Sequence, residues 1–496
     1  MFSDRGIGVA LFLMAALFGV GSVRSQYEAK GMIGGVILSF EEKDAPMGKD
    51  GEKEKNGKEG DKEGNGEKEK NGKEENGDKE KDKVKDEPSW YGAHMQGTIV
   101  GQGNWRFRSP YQGPNSLLPI LNHRDTETAT LFLAMNTWEG GTFVFNPEIS
   151  GGRGLSSTLG MAGFPNGEAT RVGMVQPTPY FARVYFQQVI GLGGEQEKVE
   201  DGPNKMAGMR DVSRLTFRVG KLAATDIFDD NRYSHDPRAQ FLNWALMYNG
   251  AWDYPANTRG YTYGVTVELN QKDSAFRYGV FGEPTEANGS EIDPRFLRAQ
   301  GHAFEWEERY VCDDHPGKVR FLAFLNNAHM GNYRQSLLLA PVNPDITATR
   351  RYGVKYGFGV NWEHELNECV GLFARAGWND GHTEAWAFTE IDVTGALGLV
   401  FNGKTWGRPK DEIGTAIVVN GLSNGHREYL AAGGLGFIVG DGRLRYGEEM
   451  IWETYYNLRI REGINFTVDF QGVNNPAYNR DRGPVAILGV RLHMEF

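Results

Sequence analysis

Val485-Ala486-Ile487-Leu488-Gly489-Val490-Arg491-Leu492-His493-Met494-Glu495-Phe496 closes the chain on an aromatic residue. Successive side chains of a strand point to opposite faces, so Ala486, Leu488, Val490, Leu492, Met494 and Phe496 share one face. Gly489, Arg491, His493 and Glu495 share the other. In a water-soluble antiparallel sheet the apolar face would look into a core. In an outer-membrane barrel the pattern is turned inside out, with the apolar face on lipid and the charged face in a wet lumen. A terminal Phe on such a strand is the usual finish of bacterial outer-membrane barrels.

The same alternation recurs upstream. Leu215, Phe217 and Val219 oppose Arg214, Thr216 and Arg218, and Tyr263, Val265, Val267 and Leu269 oppose Thr266, Glu268 and Asn270. Leu372, Ala374, Ala376 and Trp378 oppose Arg375 and Asn379, and Met450, Trp452, Tyr456 and Leu458 oppose Glu449, Glu453 and Asn457. Phe466, Val468 and Phe470 oppose Asn465, Thr467, Asp469 and Gln471. Charges on the second face of so many strands fit a polar interior better than the outside of a sandwich. With 67 glycines, 12% aromatic residues and a mean hydropathy of -0.51, the composition also suits strands that are half wetted.

The N-terminal end reads differently. Arg5 precedes an apolar run from Val9 to Val20, which is too short to span a bilayer comfortably, and small residues follow up to Ser25. Residues 1–25 are expected to be a secretory signal peptide. No later stretch is long and apolar enough for a membrane helix, so membrane residence would have to be through strands. Residues 41–87 are almost entirely Glu, Lys, Asp, Gly and Asn and have nothing to bury. We expect 26–88 to be a disordered, self-solvating linker. Residues 89–496 then form an all-β transmembrane antiparallel barrel. About 16 strands of roughly 10 residues would leave about 15 residues per connection.

The formal net charge of -11 leaves no basic footprint, which counts against nucleic acid as a partner. Cys312 and Cys369 are the only cysteines. Export permits a disulfide between them, but the spacing equally permits two free thiols, and no metal-ligand pattern surrounds either. Residues 225–260 and 284–310 do not alternate and are expected to be long loops. Phe241, Leu242, Ala245 and Leu246 have helical spacing within the first. Gly421-Leu422-Ser423-Asn424-Gly425 matches the hydrolase pattern G-x-S-x-G. Glycine-rich strand-like sequence follows it, without the strand-turn-helix context the pattern needs, so no catalytic residue is expected.

Several long motifs, in one order, resemble the carbohydrate-selective porin (OprB) family. They are Ser109-Pro110-Tyr111-Gln112-Gly113-Pro114-Asn115-Ser116, Gly163-Phe164-Pro165-Asn166-Gly167-Glu168, Asp226-Ile227-Phe228-Asp229-Asp230-Asn231-Arg232-Tyr233-Ser234-His235-Asp236-Pro237-Arg238, Asn249-Gly250-Ala251-Trp252-Asp253-Tyr254-Pro255 and Asn474-Asn475-Pro476-Ala477-Tyr478-Asn479-Arg480-Asp481-Arg482-Gly483-Pro484. The likeness runs from about Trp90 to Phe496 and has no counterpart for the charged linker. It implies a 16-stranded barrel in the bacterial outer membrane, able to form a homotrimer, that lets small hydrophilic solutes such as sugars diffuse inward. It leaves open a manganese-type or general porin. No enzyme activity and no cofactor are implied.

A pore selective for sugars needs charged hydrogen-bonding groups and aromatic surfaces at a constriction, held weakly enough that solute leaves as readily as it enters. On inward positions the candidates are Arg183, Arg214, Arg218, Glu268, Asp469 and Arg491; they can touch solute, or pair with one another and stiffen the wall. In the first long loop the candidates are Asp226, Asp229, Asp230, His235, Asp236, Arg238 and Trp244. Their aspartates can be turn and cap chemistry that anchors an inserted loop. Asp, Asp and His could also attract a divalent cation, but no spacing of a closed site is present and no metal centre is expected. Trp244, Trp252 and Tyr254 could stack on sugar rings or pack the loop against the wall.

Overall fold

A computed structural model describes residues 90–496 apart from 173 and 174. The expected signal peptide and linker lie outside the described residues. The strands are β1 (Tyr91–Asn104), β2 (Asn122–Trp138), β3 (Gly141–Gly152), β4 (Thr178–Gly191), β5 (Gln196–Val199), β6 (Gly208–Asp211), β7 (Arg214–Leu222), β8 (Thr262–Asn270), β9 (Ser274–Gly282), β10 (Gln300–Cys312), β11 (His315–Met330), β12 (Arg351–Asn367), β13 (Val370–Asn379), β14 (Val393–Asn402), β15 (Glu412–Gly421), β16 (Glu449–Arg461), β17 (Ile464–Asn474) and β18 (Val485–Glu495). Among the described residues, sixteen of these close an antiparallel barrel in chain order, and β5 and β6 form a separate hairpin between β4 and β7.

The seam joins β1 to β18, with Ile99 opposite Leu492 and Gly101 opposite Val490. Closure leaves no unpaired strand edge, which a bilayer without hydrogen-bonding partners requires. On β18 the alternation holds as expected. Leu488 and Val490 are exposed on the outside, while Arg491 and His493 are buried on the inside. Met494 is covered despite its outward position, because it lies opposite Gly97, which has no side chain to hold it off. Outward Trp306, Phe358, Trp378 and Trp452 are exposed in the same way.

Connections divide by rim. At one rim β2–β3, β8–β9, β10–β11, β12–β13 and β16–β17 join through a few residues each. At the other, residues 105–121, 153–177, 223–261, 283–299, 331–350, 380–392, 422–448 and 475–484 form the long connections. The second long loop is therefore shorter than expected, because residues 300–310 belong to β10. The stretch does alternate: Phe304 and Trp306 are exposed, while Glu305 and Glu307 face inward and meet Arg277 of β9 at 2.7 and 3.2 Å.

The interior is not a simple wet tube. Phe228, Phe241, Leu246 and Trp252 of residues 223–261 are buried with inward Phe281, Phe324, Phe373, Val418 and Ile451 in one apolar cluster. The helix expected around Phe241 is reduced to a single turn, Trp244–Met247, capped by the Asn243 side chain on the Ala245 N–H. The reason is tertiary: Glu453 of β16 accepts the N–H groups of Leu242 and Asn243 at 2.6 and 3.0 Å, fixing that backbone to the wall before a longer helix can begin.

Candidate functional site

Residues 223–261 are held by inward side chains from many strands. Asp229 meets Arg375 of β13 at 3.1 Å, accepts from Asn361 of β12 at 2.7 Å, and its own N–H donates to Glu305 of β10 at 2.6 Å. Arg491 of β18 donates to the carbonyls of Pro237 and Gln240 at 2.6 and 2.7 Å. Asn249 donates to the carbonyl of Ala376 at 3.2 Å. Charge-assisted bonds are roughly twice as strong as neutral ones, and those of Glu305 and Arg491 satisfy backbone groups of the segment.

Between this segment and the wall formed by β1 to β4 lies a cavity of about 340 Å³. Its polar side is built from Arg183, Arg238 and Arg259 and the groups they hold. Arg183 of β4 grips Asp226 through two hydrogen bonds of 2.6 and 2.5 Å. Arg238 contacts Glu148 of β3 at 3.1 Å and Glu168 at 3.0 Å. Arg259 donates to Ser150 at 2.9 Å. Glu148 also accepts the hydroxyls of Thr130 and Tyr180.

The aromatic side interleaves with these charges. The Arg259 guanidinium lies 3.8 Å from the centroid of the Tyr180 ring, and Arg183 lies 5.2 Å from that of Tyr261. Tyr180 and Tyr261 have ring centroids 6.1 Å apart, and Trp244 stacks on Phe388 at 5.8 Å. Such a surface presents paired donors and acceptors beside apolar ring faces.

Two loop carboxyls are perturbed. Burial pushes the Asp226 carboxyl up, but the Arg183 charge and its two hydrogen bonds outweigh this and hold it below its ordinary value. Burial also opposes ionisation of Asp230, and His235 and Arg320 overcome it. Over half of the Asp230 side-chain surface remains open to solvent, so this carboxylate is walled in by protein yet wetted.

Arg183, Asp226, His235, Asp236, Arg238 and Trp244 thus line one cavity. The other candidates lie elsewhere. Arg214 pairs with Glu197 at 2.7 Å near the short-turn rim, Arg218 donates to Gln187 at 2.8 Å, and Glu268 is paired with Arg277 at 2.6 Å. Asp469 is buried and accepts from Gln471 at 3.0 Å. Asp229 and Arg491 are buried anchors of the loop, and Asp230 sits 3.7 Å from Arg320. Trp252 is fully buried as packing, whereas Tyr254 lines the cavity. Glu148, Tyr180, Arg259 and Tyr261 were missed. Alternation on β3 exposes Phe143 and turns Glu148 inward, a signal that would have found it.

Among the described residues no three His, Cys, Asp or Glu side chains converge as a metal site, and Asp226 and Asp229 are held by separate arginines. Cys312 and Cys369 are free thiols. The G-x-S-x-G match requires a correction. Ser423 does follow strand β15 and precede a helix, Asn424–Ala431. It serves there as the helix N-cap, accepting from the His426 N–H and donating its hydroxyl to the Gly381 carbonyl at 2.7 Å. The His426 ring meets Asp392 at 3.1 Å and the Tyr333 hydroxyl at 3.1 Å, leaving neither ring nitrogen for Ser423.

The model of the carbohydrate-selective porin, OprB family, matches residues 126–496. The chain belongs to this family. It is accordingly a porin of the bacterial outer membrane, and its β-barrel is a channel fold. OprB of Pseudomonas putida, in its high-pH structure, superposes with a TM-score of 0.63 at 16% identity, covering 82% of this chain and 94% of that one, which shows the shared fold. The low-pH structure of the same protein gives 0.43 at 13% identity over 82% and 92%. The outer membrane channel DcaP of Acinetobacter baumannii gives 0.45 at 8% identity over 82% and 97%. None of the curated proteins compared with the chain matches it.

Proposed function

We propose that this porin gives passive, substrate-selective diffusion of small hydrophilic solutes, sugars foremost, along a water-filled path between residues 223–261 and the wall of β1 to β4. The family's description as carbohydrate-selective supports the choice of solute. The observation that carries it is the cavity where Arg183, Asp226, Glu148 and Arg238 stand beside Tyr180, Tyr254 and Tyr261. Sugar hydroxyls both donate and accept, so they can exchange water for these paired charges one contact at a time, while the pyranose face slides over tyrosine rings. The charges are already paired with each other, which keeps each contact weak and lets solute leave. No bond is made or broken in the solute, and no cofactor is required.

Liposome swelling with neutral mono- and disaccharides against amino acids of similar size tests this reading. Faster swelling with sugars is expected; equal rates would defeat the sugar claim and leave a general porin.

A further inference from the structure

Among the short-rim connections, residues 192–213 stand apart. They carry the β5–β6 hairpin, paired from Gln196 with Asp211 to Val199 with Gly208. Its base is fastened on its own side of the barrel, where the N–H of Leu192 donates to the Ser213 carbonyl and Lys272 of the next turn reaches Glu195 at 3.0 Å. Its tip is fastened elsewhere. Asp201 lies 3.2 Å from His94 of β1, a contact with ion-pair distance. Met206 is almost fully buried against Gly92 of β1, where an added Cβ would come within 3.0 Å of its sulfur.

β1 is separated from β4 by β2 and β3 in the wall. Gly92, His94, Gln96 and Thr98 alternate on the inward side of β1, so the tip reaches them across the inside of the mouth. Pro203 and Asn204 of the tip line the same cavity as Arg183 and Asp226. On the diffusion reading above, a solute that has passed the arginines meets this tip on its way to the short-turn mouth.

We propose that the hairpin at 192–213 is a second size filter, set at the short-turn mouth and held across it by Met206 on Gly92 and Asp201 on His94. The loop at 223–261 selects by contact with solute; the hairpin limits what can exit. The inference rests on the diffusion reading above.

The test uses the whole protein in planar bilayers and liposomes. In one variant residues 196–211 are replaced by a short Gly-Ser turn. In a second, His94→Ala with Met206→Ala frees the tip without shortening the chain. Asp229→Ala, which loosens the other constriction, is the reference. The filter predicts that both hairpin variants raise single-channel conductance at least about twofold and admit larger oligosaccharides. Crosslinking Gly92→Cys to Met206→Cys is expected to leave conductance at the wild-type level, because the tip is already docked there. Wild-type conductance and size limit in both hairpin variants, with widening in Asp229→Ala, would overturn the filter and leave the porin intact. A wild-type protein without conductance would remove both readings.

Discussion

Asp229 and Arg375 meet at 3.1 Å with essentially no surface of either side chain open to solvent. One residue belongs to the segment 223–261 and the other to the wall, so this buried pair fastens that segment to the barrel. Removing one partner of such a pair leaves an unpaired charge in a dry place. We expect Asp229→Ala to cost about 3–5 kcal/mol and to widen the channel. Urea unfolding in lipid and single-channel recording measure the two effects; unchanged conductance would show that the segment does not limit the path.

Arg238 bridges Glu148 and Glu168 in the cavity. Arg238→Met keeps much of its bulk but removes the donors, each worth about 1.5–3 kcal/mol when charged. Sugar block of ion current should weaken about tenfold or more, while the fold, read by strand circular dichroism, stays intact.

Tyr180 and Tyr261 supply ring faces. Tyr261→Ala should weaken sugar block several-fold, from a loss of about 0.5–1.5 kcal/mol, and Tyr261→Phe should retain most of it. Equal losses in both variants would assign the effect to the hydroxyl instead.

The pH dependence follows from Asp226. Its carboxyl titrates below the ordinary aspartate value of 3.8, so it stays ionised and paired with Arg183 as pH falls through the range where free carboxylates protonate. The pair's contribution is fully present above about 3.8 and is lost only as pH drops through the lower value set by Arg183. Sugar block should therefore be flat from pH 7 to about 5 and decline only under strong acid. A step near pH 6, measured in the bilayer, would assign control to another group.

Val490 and Arg491 are neighbours in sequence and opposites in environment. Val490→Arg places a charge on the lipid face and should destabilise the barrel by up to about 2–4 kcal/mol, depending on depth in the bilayer. Refolding and unfolding in vesicles of defined thickness read this directly.

How much of this was written in the sequence varies with distance along the chain. The direction each strand turns its residues is local, and Val490 and Arg491 announce it within two positions. Partners across a closed barrel are not local. Arg183 and Asp226 are both expected at the site, but nothing in their spacing says that they grip each other, because that contact exists only once the segment packs against β4. Glu305 and Glu307 fall in a stretch expected to be loop because no alternation was seen in it; Phe304 and Trp306 do alternate with them, and arginines on neighbouring strands cancel the cost of turning the acids inward. Arg259 and Tyr180 were missed for the same reason, being brought together from a loop and a strand far apart in the chain.

The seam between β1 and β18 has a consequence for biogenesis. The backbones of Met95 and Phe496 exchange hydrogen bonds, so β1 gains its second neighbour only when β18 docks on it. Until that docking both margins would lie ragged against acyl chains, so the cylinder is stitched shut in one step that joins its two most distant strands.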